Sequence, residues 1–427
     1  LKLLPVVEKY FNIHSFFLIS SPMAKQWIFL FFVLHFFVVS AQQSNNSFET
    51  VTDASVINGS ERTEAYIHLL KNKQVAMVVN HTSMIDQRHI VDSLLASGIN
   101  ISTVFAPEHG FRGDMADGAH IHSYKDSLTG IDVVSLFGNS FKPSKKELEN
   151  TDVVVFDIQD VGVRFYTYIS TMHYIMESCA ENNIPLIILD RPNPNGHYID
   201  GPMLDTDYRS FVGMHALPIV HGLTIGELAL MINGEKWLKD SMQCNLTVIP
   251  CLQWDHKKLY QLPIKPSPNL VSMESVYLYP SLGLFEGTII SVGRGTMRAF
   301  EIIGHPLIRD TAFSFIPKPI AGMSEKPPLE GKICYGYDLK SFAGDYLKYR
   351  SEVFLTWIVE LYCELDNDSH AGNFFNNKTF DRLAGGNKLR KQIANGLSVE
   401  EIKKSWQQDL EKYKQARKKY LLYEDFE

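Results

Sequence analysis

Several catalytic signatures are missing from this chain. No GxGxxG follows the first apolar run, and GxxxxGK[ST], HExxH and GxSxG are absent as well. These absences argue against a bound NAD, a P-loop nucleotide site, a zincin and a nucleophile-elbow hydrolase. Cysteine is sparse: Cys179, Cys244, Cys251, Cys334 and Cys363 form no CxxC pair, so neither a zinc ribbon nor a disulfide scaffold is indicated. Cys244 and Cys251 could pair across a strand, or both are buried thiols. Basic excess is missing too. With a net charge of -7 the chain is not expected to bind nucleic acid, and its short basic clusters, KK at 145 and RKK at 417, read as solvated helix faces.

What is present describes a folded protein. At 427 residues, 45% hydrophobic and 21% charged, the chain has room for an α/β domain and a smaller second one. Residues 23–42, MAKQWIFLFFVLHFFVVSAQ, place a Met and a Lys before an apolar run of about a dozen residues and then small residues. That is the pattern of a secretory signal peptide, with Val39 and Ala41 ahead of the cleavage point; the run is short for a membrane span, and an uncleaved anchor is the alternative. Residues 1–22 precede this Met and read as upstream sequence, so 1–41 are set aside from the fold. The expectation is a secreted or periplasmic protein without a stable membrane anchor. Seven Asn-x-Ser/Thr sequons matter only in a host that glycosylates secreted proteins.

Four short β-branched runs, VAMVV from 75, ISTVF from 101, VVVFDI from 153 and PLIILD from 185, look like buried parallel strands. Helical patterns separate them, QRHIVDSLLASG at 87–98 and YTYISTMHYIMESCAENN at 166–183. The alternation predicts an α/β fold: a Rossmann-like parallel sheet with helices on both faces. From about residue 260 the texture turns Pro- and Gly-rich, and a smaller C-terminal α+β domain is expected, with 42–280 as the catalytic domain and 281–427 as an auxiliary domain lining the cleft. Ser398 and Glu401 form a capping box for a last, structural helix with Trp406, Leu410 and Tyr413 as its apolar stripe.

In open sheets of this class ligands bind beyond the carboxyl ends of the strands. There the chain concentrates its polar residues: Asn80-His81-Thr82-Ser83, Glu108-His109-Gly110, Gln159-Asp160 and Asp190-Arg191-Pro192-Asn193. Such acids, amides and arginines suit carbohydrate chemistry or metal-assisted hydrolysis. Glu108 follows Pro107 and precedes Gly110, a rigid stem and a tight turn that would pin its carboxyl as a general acid; the alternative is a salt bridge to Arg112 on a solvated loop. His81, His109, His120 and His122, with Asp114 and Asp117, offer a metal cluster, but only His120-x-His122 has ligand spacing, and no metal or other cofactor is expected. Asp157 and Asp160 flank Gln159 as loop-fixing acceptors. Asp190 and Arg191 could pair as scaffold, while Asn193 and Asn195 carry amides suited to sugar hydroxyls.

The blocks VNHTSMID, PEHGFRGDMADG, DVVVFDIQDVGVRFYTYISTM, LDRPNPNG, DGPML, FVGMHALPIVHGLTIGELALMING, SPNLVSMESVYLYPSLGLFEGT and VGRGT occur in this order from about residue 74 onward. Together they resemble the NamZ-type exo-β-N-acetylmuramidases. The resemblance implies a cofactor-free glycoside hydrolase that releases N-acetylmuramic acid from the non-reducing ends of peptidoglycan fragments. It places the active site between a Rossmann-like domain and a smaller one, with the glutamate of PEHG, here Glu108, as the leading catalytic residue. Glycoside hydrolysis usually needs a second carboxyl group. Glu274 is the first candidate, followed by Glu286, Asp157, Asp160 and Asp190, unless the 2-acetamido group of the sugar itself attacks. The lactyl carboxylate of muramic acid calls for a bidentate arginine; Arg112, Arg164 and Arg294 are the candidates, each with an internal ion pair to Asp114, Asp160 or Glu286 as its alternative. Asn80, His81 and Tyr166 suit hydroxyl or acetamido contacts, with His109 beside them. A secreted glycan-binding protein without turnover and a metal-dependent hydrolase are the competing readings.

Overall fold

The computed structural model describes residues 49–51, 56–112, 123–138, 140–366 and 373–427. The signal-like segment 23–41 and the residues Asp114, Asp117, His120 and His122 lie outside them. Seven strands form one sheet: β1 Gln74–Val79, β2 Asn100–Ala106, β3 Tyr124–Lys125, β4 Asp132–Ser135, β5 Val153–Asp157, β6 Leu186–Leu189 and β7 Leu246–Ile249. Their order is β7-β6-β5-β1-β2-β4-β3, parallel throughout except for β3 against β4.

All four apolar runs are strands of this sheet. In β1 every residue from Val75 to Val79 is fully buried; successive side chains point to opposite faces, so both faces of the sheet are covered. One face carries α1 Thr63–Leu70 and α2 Ile90–Ala96, whose Tyr66, Leu70, Ile90, Val91 and Leu94 share a core with Val75, Met77 and Val79. Two further helices, α3 Tyr168–Asn182 and α4 Ile225–Gly234, pack against each other. The chain leaves β1 toward β2 on one side and β5 toward β6 and β7 on the other. Strand order therefore reverses between the neighbours β1 and β5, and in open sheets of this class ligands bind beyond the carboxyl ends at such a reversal.

Beyond α5 Met273–Leu282 lies a second, antiparallel sheet, β8 Ile302–His305, β9 Ser314–Phe315 and β10 Cys334–Asp338, in the order β8-β10-β9. The helices α6 Thr356–Leu365 and α7 Asn377–Ala384 follow it. Ser398 and Glu401 do form a capping box, but the helix it starts ends at Lys404, and α8 runs separately over Gln407–Arg417. Between the two, Trp406 turns inward and its indole N–H donates to Asp200 at 3.1 Å. Tyr413 donates to the carbonyl of His221 at 2.7 Å and Arg417 to that of Gly222 at 3.0 Å. These bonds tie the C-terminal helices to the first half of the chain, and residues 49–427 form one compact unit. All five cysteines are free. Cys251 does not meet Cys244: its thiol donates to the carbonyl of Asp190 at 3.2 Å, and Cys244 lies against Cys179 instead. Among the described residues no helix is long and apolar enough to cross a membrane.

Candidate active site

Glu108 stands on a tight turn just past the end of β2. Gly110 donates its N–H to the carbonyl of Pro107 at 3.1 Å, which closes a four-residue turn with Glu108 and His109 at its centre. His109 has a φ of 72° and Gly110 one of 80°. A left-handed histidine is uncommon and persists only where its surroundings fix it. The turn holds Glu108 partly exposed while Pro107 and His109 on either side are buried. The hydroxyl of Thr167, the N-terminal flanking residue of α3, donates to Glu108 Oε2 at 3.3 Å.

The strand-order reversal between β1 and β5 adjoins this turn in the sheet. Asn80 Oδ1 accepts from the backbone N–H and the hydroxyl of Thr82 at 2.9 and 2.6 Å, and Thr82 Oγ1 accepts from Gln159 N–H at 3.1 Å. Ser83 donates to the Asp157 carbonyl. These bonds lock the two strand ends together and leave Asn80 Nδ2 buried without a partner among the described residues. Burial pulls the pKa of His81 below its ordinary value. Its Nε2 lies 2.8 Å from the Lys265 carbonyl, which can only accept, so Nε2 carries the proton and the buried Nδ1 presents a lone pair.

Asp160 follows β5 at the reversal. One oxygen accepts from Gly162 N–H at 2.8 Å; the other is buried and has no hydrogen-bond partner among the described residues. Gly162 has a φ of +76°, and a Cβ there would sit 2.3 Å from the Asn193 amide, so only glycine fits. His221, fully buried, faces Asp160 at 3.6 Å. Because His221 Nδ1 accepts from Leu223 N–H at 3.3 Å, its Nε2 carries the hydrogen toward Asp160.

Other expected site residues are committed to the scaffold. Asp157 and Arg191 form a buried bidentate pair at 2.6 and 2.9 Å, so Arg191 does not pair with its neighbour Asp190. Asp190 accepts from Thr224, Gly226 and Tyr423 at 2.7, 2.8 and 2.6 Å. Asn193 donates to the Leu223 carbonyl and accepts from Asn195 N–H, both at 2.8 Å, and Asn195 donates to the Val161 carbonyl at 2.9 Å. Both amides are buried, and Asn195 Oδ1 has no hydrogen-bond partner among the described residues.

The arginines are occupied as well. Arg164 is fully buried and donates to the carbonyls of Pro202, Leu217 and Leu383 at 2.7, 2.6 and 2.9 Å, not to Asp160. Burial pulls its pKa down, and the three carbonyls take the place of a counterion. Arg112 chelates Asp126 at 3.1 Å and Asp92 at 3.3 Å. Arg294 donates its Nε–H to Glu286 at 2.6 Å, and both side chains stay partly exposed. Tyr166 is buried and donates to the Pro266 carbonyl at 2.7 Å. Glu274, in the first turn of α5, lines a groove of about 550 Å³ with Pro263, Lys265 and Lys348. Among the described residues no group of three His, Cys, Asp or Glu is placed to hold a metal ion.

Sequence reasoning missed Thr167, His89 and His221. His89 bridges the Asn80 carbonyl at 2.9 Å and Val91 N–H at 3.3 Å, fixing the end of β1 against α2. It also missed a buried chain: His215 Nε2 meets His173 Nδ1 at 3.0 Å, and His173 Nε2 meets Glu177 at 3.2 Å. His173 and then Lys142 pull the Glu177 carboxyl down to about 2, so the ionised Glu177 orients both rings. Only the spacing of His173 and Glu177, one helical turn apart, was visible in advance.

Residues 75–274 match the family model described as exo-beta-N-acetylmuramidase NamZ, N-terminal, and residues 277–423 match its C-terminal counterpart. The peptidoglycan beta-N-acetylmuramidase NamZ of Bacillus subtilis (strain 168) is 39% identical over 378 residues, 84% of this chain and 89% of that protein. Two crystal structures of DUF1343 family proteins from Bacteroides fragilis NCTC 9343 are similar in fold. The first has a TM-score of 0.80 at 45% identity and the second 0.70 at 29%; each alignment covers 87% of this chain and 99% of the other.

Proposed function

The chain belongs to the NamZ exo-β-N-acetylmuramidase family, and on that premise we propose that it removes terminal N-acetylmuramic acid from peptidoglycan fragments with Glu108 as the general acid. The observation that carries this role is the turn Pro107–Gly110, which keeps one carboxyl partly exposed at a strand end whose neighbours are buried. Protonated, Glu108 gives its proton to the glycosidic oxygen as the bond from that oxygen to the anomeric carbon breaks. Thr167 Oγ1, 3.3 Å from Oε2, orients the carboxyl.

For the second carboxyl we favour Asp160 over Glu274. Asp160 sits at the strand-order reversal with one oxygen that no group among the described residues serves. Glu274 lines a groove formed by the 261–266 segment, whose Lys265 and Pro266 carbonyls hold His81 and Tyr166. In this reading Asp160 takes an N–H of the 2-acetamido group or an O–H of the attacking water, with the buried His221 ring 3.6 Å away. The lactyl carboxylate is then read by donors other than Arg112, Arg164 and Arg294, whose guanidinium groups are engaged within the protein.

The test is hydrolysis of a chromogenic N-acetylmuramic acid glycoside and the matching N-acetylglucosamine glycoside by wild type, Glu108→Gln, Asp160→Asn and Glu274→Gln. Selective release of muramic acid by wild type, lost in Glu108→Gln and Asp160→Asn but kept in Glu274→Gln, is the expected result. Full activity in Glu108→Gln removes it from the acid role. We also propose export, on the pattern of residues 23–41. Amino-terminal sequencing of protein from the extracellular or periplasmic fraction is expected to begin at Gln42.

A further inference from the structure

Four aromatic side chains from three separate segments meet on the flank of α3. Phe137 and Phe141 follow β4, Tyr174 belongs to α3, and Phe211 lies on the loop ahead of α4. The Phe141 and Phe211 rings are 4.3 Å apart with their planes at 33°. Tyr174 lies 6.5 Å from Phe141 at 21° and 6.4 Å from Phe211 at 14°. Phe137 stands edge-on to Phe141 at 82°. Phe141 and Phe211 thus turn one ring face toward each other and leave the other face to their surroundings, and Tyr174 stands nearly parallel beside the pair.

All four keep part of their surface in water, whereas Phe156, Phe165 and Tyr168 nearby in sequence are almost wholly buried. The array is held rigidly. Ser170 donates to the Phe211 carbonyl at 2.7 Å and Ser178 to the Pro143 carbonyl at 2.8 Å. Lys142, next to Phe141, bridges Glu177 and Glu181 on α3 at 3.0 and 2.8 Å. Flat, partly exposed rings fixed from both sides are pre-organised to stack on another flat, partly apolar surface.

Their place relative to Glu108 says what that surface is. Thr167, which holds Glu108, and Tyr174 are seven residues apart on one helical run, so they share a face and stand about 10 Å apart along the axis. Two linked pyranose rings cover such a span. An exo-acting enzyme that releases one terminal sugar has no further sugar on the released side, so a sugar this far from the acid belongs to the leaving strand. We infer that Phe141, Tyr174 and Phe211, backed by Phe137, form a stacking platform for sugar rings of the leaving glycan strand. The C–H faces of the pyranoses lie on the aromatic faces and leave the hydroxyls in water. This inference rests on the exo-hydrolase reading of the site.

The test compares a chromogenic muramic acid glycoside, which has no sugar on the leaving side, with a peptide-free tetrasaccharide ending in N-acetylmuramic acid. Phe141→Leu and Phe211→Leu keep apolar volume but remove the flat face; each is expected to lower kcat/KM on the tetrasaccharide about fivefold to tenfold, chiefly through KM. The chromogenic glycoside is expected to stay within about twofold, and Phe211→Trp to restore the longer substrate. Equal losses on both substrates would reduce the rings to a packing role, and an unchanged tetrasaccharide would mean that no sugar rests there. Should the leucine variants not fold, tetrasaccharide added to Glu108→Gln protein is expected to shift the aromatic resonances of these four residues; unmoved resonances with the sugar bound overturn the platform. If wild type cleaves neither substrate, the hydrolase reading fails instead.

Discussion

The carboxyl ends of β2 and β6 both present an acid, and the two acids have opposite fates. Asp190, directly after β6, is fully buried and accepts from Thr224, Gly226 and Tyr423. Glu108, after β2, stays partly exposed on a turn and meets the hydroxyl of Thr167. The difference comes from what lies above each strand. The start of α4 and the C-terminal Tyr423 close over β6, while the turn at β2 lifts its acid away from the sheet. A polar residue at a strand end is therefore a candidate only until its surroundings are known, and the carboxyl end of this sheet has a sealed acid at β6 and a partly exposed one at β2.

That division can be broken from either side. The largest effect is expected at the working end, where Glu108→Gln should lower kcat on the muramic acid glycoside about 10²- to 10⁴-fold with the thermal unfolding midpoint unchanged. At the sealed end Asp157→Asn leaves the buried Arg191 charge uncompensated. Denaturant unfolding should show a loss of about 3 to 5 kcal/mol, with kcat per folded molecule preserved.

Asp190 tests the seal through pH. Burial and then the neighbouring Glu227 push its carboxyl up to about 6, against the donors that favour its charged form. A raised acid pKa means that the folded state holds a proton the unfolded chain has already lost. The contribution to stability is full below about pH 4 and is lost as pH rises through about 6. Asp190→Asn should therefore gain on wild type between pH 4 and pH 7, by on the order of 2 to 3 kcal/mol in paired urea titrations; parallel pH profiles for the two proteins would refute the shift. The smallest effect is expected at Arg112. Its pairs with Asp92 and Asp126 are partly exposed, so Arg112→Gln should cost about 1 kcal/mol or less and leave KM within about twofold. A large rise in KM would return this arginine to the substrate.

The strands, the alternation with helices and the turn at Glu108 were all legible in the sequence, because each rests on local chemistry. β-branched runs favour buried strands, a Pro and a Gly bracket a turn, and Ser398 with Glu401 caps a helix. The candidate site was legible only as a pool of strand-end residues. From that pool the structure keeps Glu108 partly exposed and leaves Asp160 and Asn80 each with one buried polar atom that no described group meets. Asp157, Asp190, Asn193 and Arg164 have the same side-chain chemistry and differ in how fully internal partners take up their polar groups.

By itself, then, the sequence determined the α/β sheet, the edge of it on which the polar strand-end residues gather, and the turn that holds Glu108. Which polar groups stay available along that edge was decided by the tertiary structure. The partners that remove a group from service come from far along the chain: Asp157 is matched by a residue 34 positions away, Asp190 by one 233 away and Arg164 by one 219 away. No local pattern encodes such pairings, since burial selects them only once the two halves of the chain have packed.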